Sequence, residues 1–240
     1  MTTWRVECGD CLELLRKLPS GSVDAVVTDP PYGINTKSDG SGKLNPWADL
    51  CNSAFWYAEW FRLCRSVLSR SGSFWTCLNW RSLPSFQKAA CDVGWPIESL
   101  MVWDKDWIGP GGTRGLRPSY ELVALLVMPD FSVEDRGISD VQKFPWSSQK
   151  PTGHPAEKPV DLFKFCVKHG SPRGGAVLDP FCGSGTCGVA CVETGRRFLG
   201  FELDSSWVEL SRRRISEAAP ALFVPQSTAQ APELFPEARP

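Results

Sequence analysis

The sequence predicts an α/β protein built around one mostly parallel sheet, and three observations support that class. Short apolar segments of strand length alternate along the chain with longer segments whose apolar residues recur at helical spacing. This β–α–β rhythm is typical of a parallel sheet that is covered by helices on both faces. The chain has 240 residues, of which 42% are hydrophobic, and this is enough for one sizeable core. We therefore expect a single α/β domain.

The predicted elements of the first half can be placed from short apolar runs and from helical periodicity. Leucines at positions 12, 14, 15 and 18 suit one face of a helix, and segment 55–68 is aromatic and amphipathic. The predicted order is strand 4–8, helix 11–18, strand 22–28, helix 55–68, strand 72–78, helix 83–91 and strand 98–103. Residues 33–45 are rich in glycine and serine, and we expect a mobile loop there.

In the second half, strand 120–128 follows strand 98–103 with no helical pattern between them, so the two should be antiparallel. The remaining elements are predicted as helix 160–168, strand 176–178, helix 187–194, strand 197–201 and helix 206–218. The last helix is basic on one side through residues 212–214. Residues 219–240 contain five prolines and few charges, which is typical of a disordered tail.

Charge and cysteine usage narrow the class of protein further. The formal net charge is −1, so a nucleic-acid surface would have to be a local basic cluster. Residues 1–10 lack the apolar segment of a signal peptide, and the longest apolar run, 122–128, is too short to span a bilayer. We expect a soluble protein of the cytoplasm.

The ten cysteines include a single Cys-x-x-Cys pair, Cys8 and Cys11, with no second pair at the spacing of zinc ligands. Most of the cysteines are therefore explained better as small core residues than as zinc ligands.

The segment Asp29-Pro30-Pro31-Tyr32 follows a predicted buried strand and supplies hydrogen-bond acceptors without backbone donors. Proline has no N–H and a fixed φ, so the chain there is stiff and extended. The Asp29 carboxylate and the Pro30 carbonyl could accept both hydrogens of a planar NH2 group, and Tyr32 could stack on a base turned out of its helix. An ordinary Pro-Pro turn after a strand is the alternative.

A second candidate site is the glycine loop that follows strand 176–178. Gly183-x-Gly185-x-x-Gly188, with Glu202 closing the next strand, matches the dinucleotide fingerprint. Asp179, however, would repel a pyrophosphate. A cationic ligand such as S-adenosylmethionine would be attracted, with Glu202 accepting its ribose hydroxyls and the glycines allowing close backbone approach. Asp10 could accept from the adenine amine, or it could equally cap helix 11–18.

Six motifs in one order resemble the amino-methyltransferases of DNA in the permuted, beta-group arrangement, in which the catalytic motif precedes the cofactor motif. They are GDCLELLRKLP from Gly9, TDPPYG from Thr28, VWDK at Val102, RPSYELVALL at Arg117, HPAEKP from His154 and LDPFCGSGT from Leu178. The resemblance covers nearly all of residues 4–215. It implies a Rossmann-like, seven-stranded, mostly parallel sheet with circularly permuted motif order, one antiparallel strand second from an edge, and the strands ending in Asp29 and Asp179 side by side. The methyltransferase domain would be 1–218, with tail 219–240.

The resemblance also implies the site residues and the cofactor, S-adenosylmethionine, with no metal. The catalytic residues would be Asp29, Pro30, Pro31 and Tyr32. The cofactor-binding residues would be Asp10, Cys11, His154, Glu157, Lys158, Asp179, Phe181, Gly183, Ser184, Gly185, Thr186, Glu202 and Asp204. The implied reaction is direct transfer of the sulfonium methyl to the N6 amine of a flipped adenine in double-stranded DNA.

Contacts to DNA are expected from the glycine-rich loop and from two short recognition segments within 104–119 and 129–153. The basic residues there are Lys37, Lys43, Arg114, Arg117, Lys143 and Lys150. Such short segments favour weak sequence specificity.

The target base and the alternative functions also follow from the resemblance. Aspartate rather than serine at position 29 favours, by resemblance, adenine N6 over cytosine N4 as the methylated amine. A methyltransferase acting on RNA or on a protein amide, and a DNA-binding protein without turnover, are further alternatives. A prokaryotic or phage-infected cell is the expected setting, while a homodimer and a restriction endonuclease partner are left open.

Overall fold

The computed structural model describes residues 4–31, 54–109, 113–147, 152–154 and 156–219. The strands are β1 (Trp4–Cys8), β2 (Val23–Thr28), β3 (Leu68–Leu78), β4 (Ser99–Asp104), β5 (Tyr120–Val127), β6 (Val141–Lys143), β7 (Ala176–Asp179) and β8 (Arg197–Glu202). The helices are α1 (Cys11–Leu15), α2 (Ala54–Val67), α3 (Leu83–Asp92), α4 (Val160–Gly170), α5 (Thr186–Thr194) and α6 (Ser205–Ala218). The predicted loop at 33–45 and nearly all of the predicted tail lie outside the described residues. Within the described ranges, no helix is long and apolar enough to cross a membrane.

All the strands form one sheet in the order β1-β8-β7-β2-β3-β5-β4-β6. Only β5 runs antiparallel to its neighbours, β3 and β4, and every other pairing is parallel. The predicted α/β class, the mostly parallel sheet and its single antiparallel strand are therefore confirmed. The described sheet has eight strands rather than seven, and β5 is third rather than second from an edge. The additional strand, β6, has three residues and pairs only with β4, so its sequence carries too little periodicity to be recognised.

The strand order reverses between β2 and β7, which pair in parallel with Ala25 opposite Val177 and Val26 opposite Leu178. Along the chain, β2 leads to β3 on one side of this point, whereas β7 leads to β8 on the other. Such a switch point opens a crevice at the carboxyl ends of the strands, where ligands bind in open α/β sheets. The expected adjacency of the strands that lead to Asp29 and Asp179 is confirmed.

Helices cover both faces of the sheet and form two hydrophobic layers. On one face, α1, α2 and α3 pack an aromatic cluster in which the rings of Phe61 and Phe86 lie 4.6 Å apart and Trp60 meets Phe74 edge-on at 5.2 Å. Aromatic pairs of this kind contribute about 0.5–1.5 kcal/mol each beyond the area they bury. On the other face, α4, α5 and α6 pack an aliphatic and cysteine-rich layer. Most of the described cysteines are buried there or in the first layer, as predicted.

Candidate active site

Five acidic residues lie at the carboxyl edge of the sheet around the switch point. Asp10 follows β1, Asp29 follows β2, Asp179 ends β7, Glu202 ends β8 and Asp204 comes two residues later. They reach one edge because these four strands are parallel and adjacent. The structure therefore brings together the acidic residues that the sequence nominated from distant segments.

Asp179 is almost completely buried, with 2% of its surface exposed. Its Oδ1 atom accepts hydrogen bonds from Thr28 Oγ1 at 2.6 Å and from the Phe181 backbone N–H at 3.0 Å. Burial, with a smaller contribution from the carboxylates of Asp29 and Glu202, raises the pKa of Asp179 to about 7, against the opposing effect of these two hydrogen bonds. A negative charge at this position is costly unless a cation binds nearby.

Glu202 orients the glycine loop. Its Oε2 accepts from the Gly183 N–H at 2.8 Å, and its Oε1 accepts from the Asp204 N–H at 3.0 Å. Each carboxylate oxygen has a second lone pair, so Glu202 retains acceptor capacity for hydroxyl donors. Both of its oxygens are fixed in direction by the backbone, which makes Glu202 a preorganised acceptor at the end of β8.

The three glycines of the loop have different roles. Gly183 has φ +49°, and a Cβ atom there would lie 3.4 Å from His154 Nε2. Gly185 has φ +83°, and its Cβ would lie 2.9 Å from Ser211 Cβ and 3.0 Å from Ser211 Cα. At Gly188, the added atom would meet Ile215. Gly185 and Gly188 thus allow the loop and α5 to approach α6 closely, and Gly183 faces the predicted cofactor residue His154.

Arg214, on α6, ties the glycine loop to the segment before α4. Its Nη2 lies 2.7 Å from Glu157 Oε1, and its Nη1 donates to Ser184 O, Ser184 Oγ and Thr186 Oγ1 at 3.1–3.2 Å. Glu157 is 7% exposed, and its Oε2 accepts from Thr152 Oγ1 at 2.6 Å. The sequence placed Arg214 in a basic stretch at 212–214, so its role at the loop was not recognised. Ser184 and Thr186 are predicted cofactor residues and are both buried.

Four charged side chains of alternating sign form a row that ends at Asp29. Lys158 Nζ lies 2.5 Å from Asp29 Oδ2 and 3.6 Å from Glu121 Oε2, while Lys105 Nζ lies 2.5 Å from Glu121 Oε1. Burial alone would lower the pKa of Lys158, but the carboxylates of Asp29 and Glu121 outweigh burial and raise it. Burial raises the pKa of Glu121, and the ammonium groups of Lys158 and Lys105 outweigh burial and lower it. Glu121 and Lys105 were not nominated from the sequence.

The other predicted cofactor residues lie at the same edge but also have structural roles. Asp10 caps α1 by accepting from the Leu12 and Glu13 N–H groups, and Asp204 caps α6 by accepting from the Ser206 N–H. The ring of His154 meets Trp207 edge-on at 4.5 Å, and burial lowers the pKa of His154. Phe181 contacts the rings of Trp56 and Trp60, and Cys11 is buried.

The predicted DNA-contacting residues are only partly described. Arg114 is exposed, Arg117 donates to the carbonyls of Gly109 and Ile108, and Lys143 pairs with Asp106 at 2.8 Å. Arg114 and Arg117 follow the carboxyl end of β4, and Lys143 is the last residue of β6. They lie toward the same edge as Asp29, because β4 and β6 are parallel to each other and to β3. The remaining residues predicted for DNA and base contact, Lys37, Lys43, Lys150 and Tyr32, lie outside the described residues.

The residues at this edge fit S-adenosylmethionine in their chemistry. The carboxylates of Asp179 and Glu202 suit a ligand that carries an ammonium, a sulfonium and ribose hydroxyls. Arg214, which donates to the glycine loop from α6, already pairs with Glu157. These features match a cationic cofactor better than a pyrophosphate.

Comparisons with known proteins identify the family of the chain. The family model for the N6/N4 DNA methylases matches residues 23–213. The DNA adenine methyltransferase YhdJ of Escherichia coli (strain K12) is 29% identical to the chain over 88% of its length and 82% of the relative. The fold is shared with the M1.HpyAVI–SAM complex, at a TM-score of 0.67 and 21% identity over 88% of this chain and 99% of that one. It is also shared with the cytosine-N4-specific PvuII DNA methyltransferase, at a TM-score of 0.72 and 17% identity over 91% and 92%. The chain therefore belongs to the N6/N4 DNA methylases, the S-adenosylmethionine-dependent DNA amino-methyltransferases that its motifs resemble.

Proposed function

We propose that the protein methylates the exocyclic N6 of adenine in double-stranded DNA, with the target base turned out of the helix to reach Asp29. The observation that carries this proposal is the position of the Asp29 carboxylate, which follows β2 beside buried Asp179 and precedes two prolines without backbone N–H groups. Enzymes that act on a base must remove it from the stack to reach the reacting atom.

The residues of the chain would act on the amine by positioning and by hydrogen bonding. An exocyclic amine is a weak nucleophile because its lone pair is delocalised into the ring. Acceptance of its two hydrogens by the Asp29 carboxylate and the Pro30 carbonyl would draw the nitrogen toward tetrahedral geometry and direct its lone pair. S-adenosylmethionine, when bound, supplies an electrophilic methyl group on sulfur. The proton leaves the nitrogen after methylation, when the nitrogen has become acidic, so the site requires no strong base. Most of the rate would come from holding two reactants in line.

Cytosine N4 is the second candidate target, and the structural likeness to the cytosine-N4-specific PvuII enzyme favours considering it. Its amine offers the same two hydrogens to the same two acceptors. Adenine is supported by the aspartate at position 29 and by the relative YhdJ, which is named a DNA adenine methyltransferase. The test is to methylate unmodified DNA with the purified protein, digest it to nucleosides and identify the product by mass spectrometry. N6-methyladenine is expected, and N4-methylcytosine as the only product would refute the proposal.

The sequence context recognised by the enzyme should be short or loosely defined. The described recognition segments are brief, and two of their basic residues, Arg117 and Lys143, already have partners in the protein. Few side chains remain to read base edges, so phosphate contacts would dominate the affinity for DNA. Sequencing that detects modified bases in DNA from expressing cells tests this expectation. One strictly required site of about six base pairs or more would contradict it.

A further inference from the structure

Lys158 is the charged partner of the residue to which the proposed function assigns the target amine. Its ammonium contacts Asp29 Oδ2 at 2.5 Å, and its side chain is 9% exposed. We propose that Lys158 is a positioning residue of the methyl-transfer reaction, which fixes the rotation of the Asp29 carboxylate toward the target amine. This inference rests on the proposed function, because it requires Asp29 to be the acceptor for that amine.

A carboxylate at this position needs such a cation. Asp29 and the buried Asp179 follow adjacent strands at the switch point, so like charges face each other across the crevice. A carboxylate side chain also rotates easily unless a partner fixes it. Lys158 donates to Oδ2 of Asp29, and a charge-assisted hydrogen bond to that oxygen limits the rotation of the carboxylate group.

Lys158 is itself held from the opposite side by Glu121 of β5. Glu121 Oε2 lies 3.6 Å from the Lys158 ammonium, and Glu121 Oε1 accepts from Lys105 at 2.5 Å. The side chains of Asp29, Glu121 and Lys105 are 16%, 17% and 12% exposed, so the row is largely shielded from water. Ion pairs in such surroundings are screened little, and breaking one leaves an uncompensated charge. Lys158 therefore lies between two carboxylates, Asp29 directly after β2 and Glu121 on β5.

The adjacent residue, Glu157, contacts a different part of the site. Glu157 pairs with Arg214, which donates to Ser184 and Thr186 of the glycine loop. Two consecutive residues thus connect to the two halves of the site. Glu157 is linked to the cofactor loop through Arg214, and Lys158 contacts Asp29 directly. Loss of Glu157 should weaken cofactor binding, whereas loss of Lys158 should slow methyl transfer with the cofactor site saturated.

The experiment compares Lys158→Met with Lys164→Met in the full-length protein. Lys164 lies on α4, where its ammonium is 2.5 Å from Glu193, so each variant removes a lysine from a close ion pair and should lower the melting temperature, but the pair of Lys158 is with Asp29. At saturating S-adenosylmethionine and DNA, we expect Lys158→Met to lower kcat by about 100-fold and Lys164→Met by less than about threefold. The Kd for S-adenosylmethionine, measured by calorimetry, should change less than about threefold for Lys158→Met and rise about tenfold or more for Glu157→Gln.

Equal kcat values for Lys158→Met and Lys164→Met would overturn the proposal, as would a loss of cofactor affinity in Lys158→Met that accounts for the loss of rate. If Lys158→Met does not fold, the double variant Lys158→Met/Glu121→Gln is used instead, because it also removes the Glu121 carboxylate that the loss of Lys158 would leave without that partner on β5. Its kcat is then compared with the kcat of Glu121→Gln alone. A kcat loss of about 100-fold within that pair supports the proposal, and its absence overturns it. Asp29→Ala is assayed in parallel. Methyl transfer by that variant would refute the proposed function itself. If Asp29→Ala is inactive and Lys158→Met is fully active, only the role of Lys158 is refuted.

Discussion

Replacement of Asp179 by asparagine should weaken cofactor binding and at the same time stabilise the folded protein above neutral pH. Asparagine keeps an oxygen that can accept from Thr28 Oγ1 and the Phe181 N–H, as Asp179 Oδ1 does. It removes the negative charge that burial disfavours. The loss of a hydrogen bond between a charged carboxylate and S-adenosylmethionine should cost about 1–3 kcal/mol of binding free energy.

The effect on stability follows from the pKa of Asp179, which burial raises from 3.8 to about 7. Because folding raises the pKa of this acid, its contribution to stability is fully present below about pH 4 and is lost as the pH rises through about 7. The difference between those two pKa values corresponds to about 4 kcal/mol of unfolding free energy. Asp179→Asn should not lose unfolding free energy in this way, because asparagine does not ionise. Its unfolding free energy relative to that of the wild type should therefore increase with pH.

Urea unfolding of the cofactor-free protein at about pH 5 and about pH 8 measures this difference, with the midpoint and slope compared at each pH. We expect the variant to gain about 2 kcal/mol relative to the wild type between the two conditions. The control is Asp161→Asn on α4, because the Asp161 side chain is 80% exposed and should give no such change. A variant that is equally destabilised at both pH values would refute the claim that ionisation of buried Asp179 lowers the unfolding free energy.

Three further predictions concern the site and the chain around it. Gly185→Ala should lower the unfolding free energy by about 2–5 kcal/mol, because alanine is strained in the left-handed conformation and its Cβ would clash with Ser211. Denaturant unfolding measures this loss. Gly174→Ala is the control, because Gly174 has φ +78° but open space around it, so that variant carries the backbone strain without the clash. Thr28→Val removes a hydrogen bond that lowers the pKa of Asp179, so more of Asp179 should be protonated at about pH 7. Calorimetry at that pH should show up to tenfold weaker S-adenosylmethionine binding, and the binding should recover at about pH 9, where Asp179 is ionised again. A loss of affinity that is independent of pH would contradict this. Deletion of 220–240 should leave melting temperature and activity almost unchanged, since a proline-rich segment with few charges has little to bury; a clear drop in either would refute this.

Much of the fold could be predicted because its central strands are continuous apolar runs with clear ends. β2, β5 and β7 are buried along most of their length, and the pattern placed each of them within one or two residues. The edge strand β6 could not be recognised, because its three residues are exposed or half-buried and pair with one neighbour. Helix α1 ends at Leu15 rather than at 18, because the N–H groups of Lys17 and Leu18 bond to carbonyls three residues back and close a tighter turn.

The candidate site was predicted in its acidic residues at the sheet edge but not in several charged residues around them. Asp29 directly follows β2, while Asp179 and Glu202 end β7 and β8, so local pattern and parallel topology together place them at one edge. Arg214, Glu121 and Lys105 are distant in sequence from the residues they contact, and their side-chain contacts depend on how helices and strands pack. Lys158 was assigned to the cofactor by resemblance, whereas the structure places its ammonium on Asp29.

The most direct test of the proposed function is methyl transfer by the wild type and by Asp29→Ala, measured in parallel with cofactor binding. Purified protein is incubated with unmodified double-stranded DNA and S-adenosylmethionine labelled on its methyl group, and binding is measured by calorimetry. The wild type should label DNA at adenine N6, and Asp29→Ala should transfer no label while its Kd for S-adenosylmethionine stays within about tenfold. Substantial labelling of DNA by Asp29→Ala would contradict the assignment of the amine acceptor to this carboxylate.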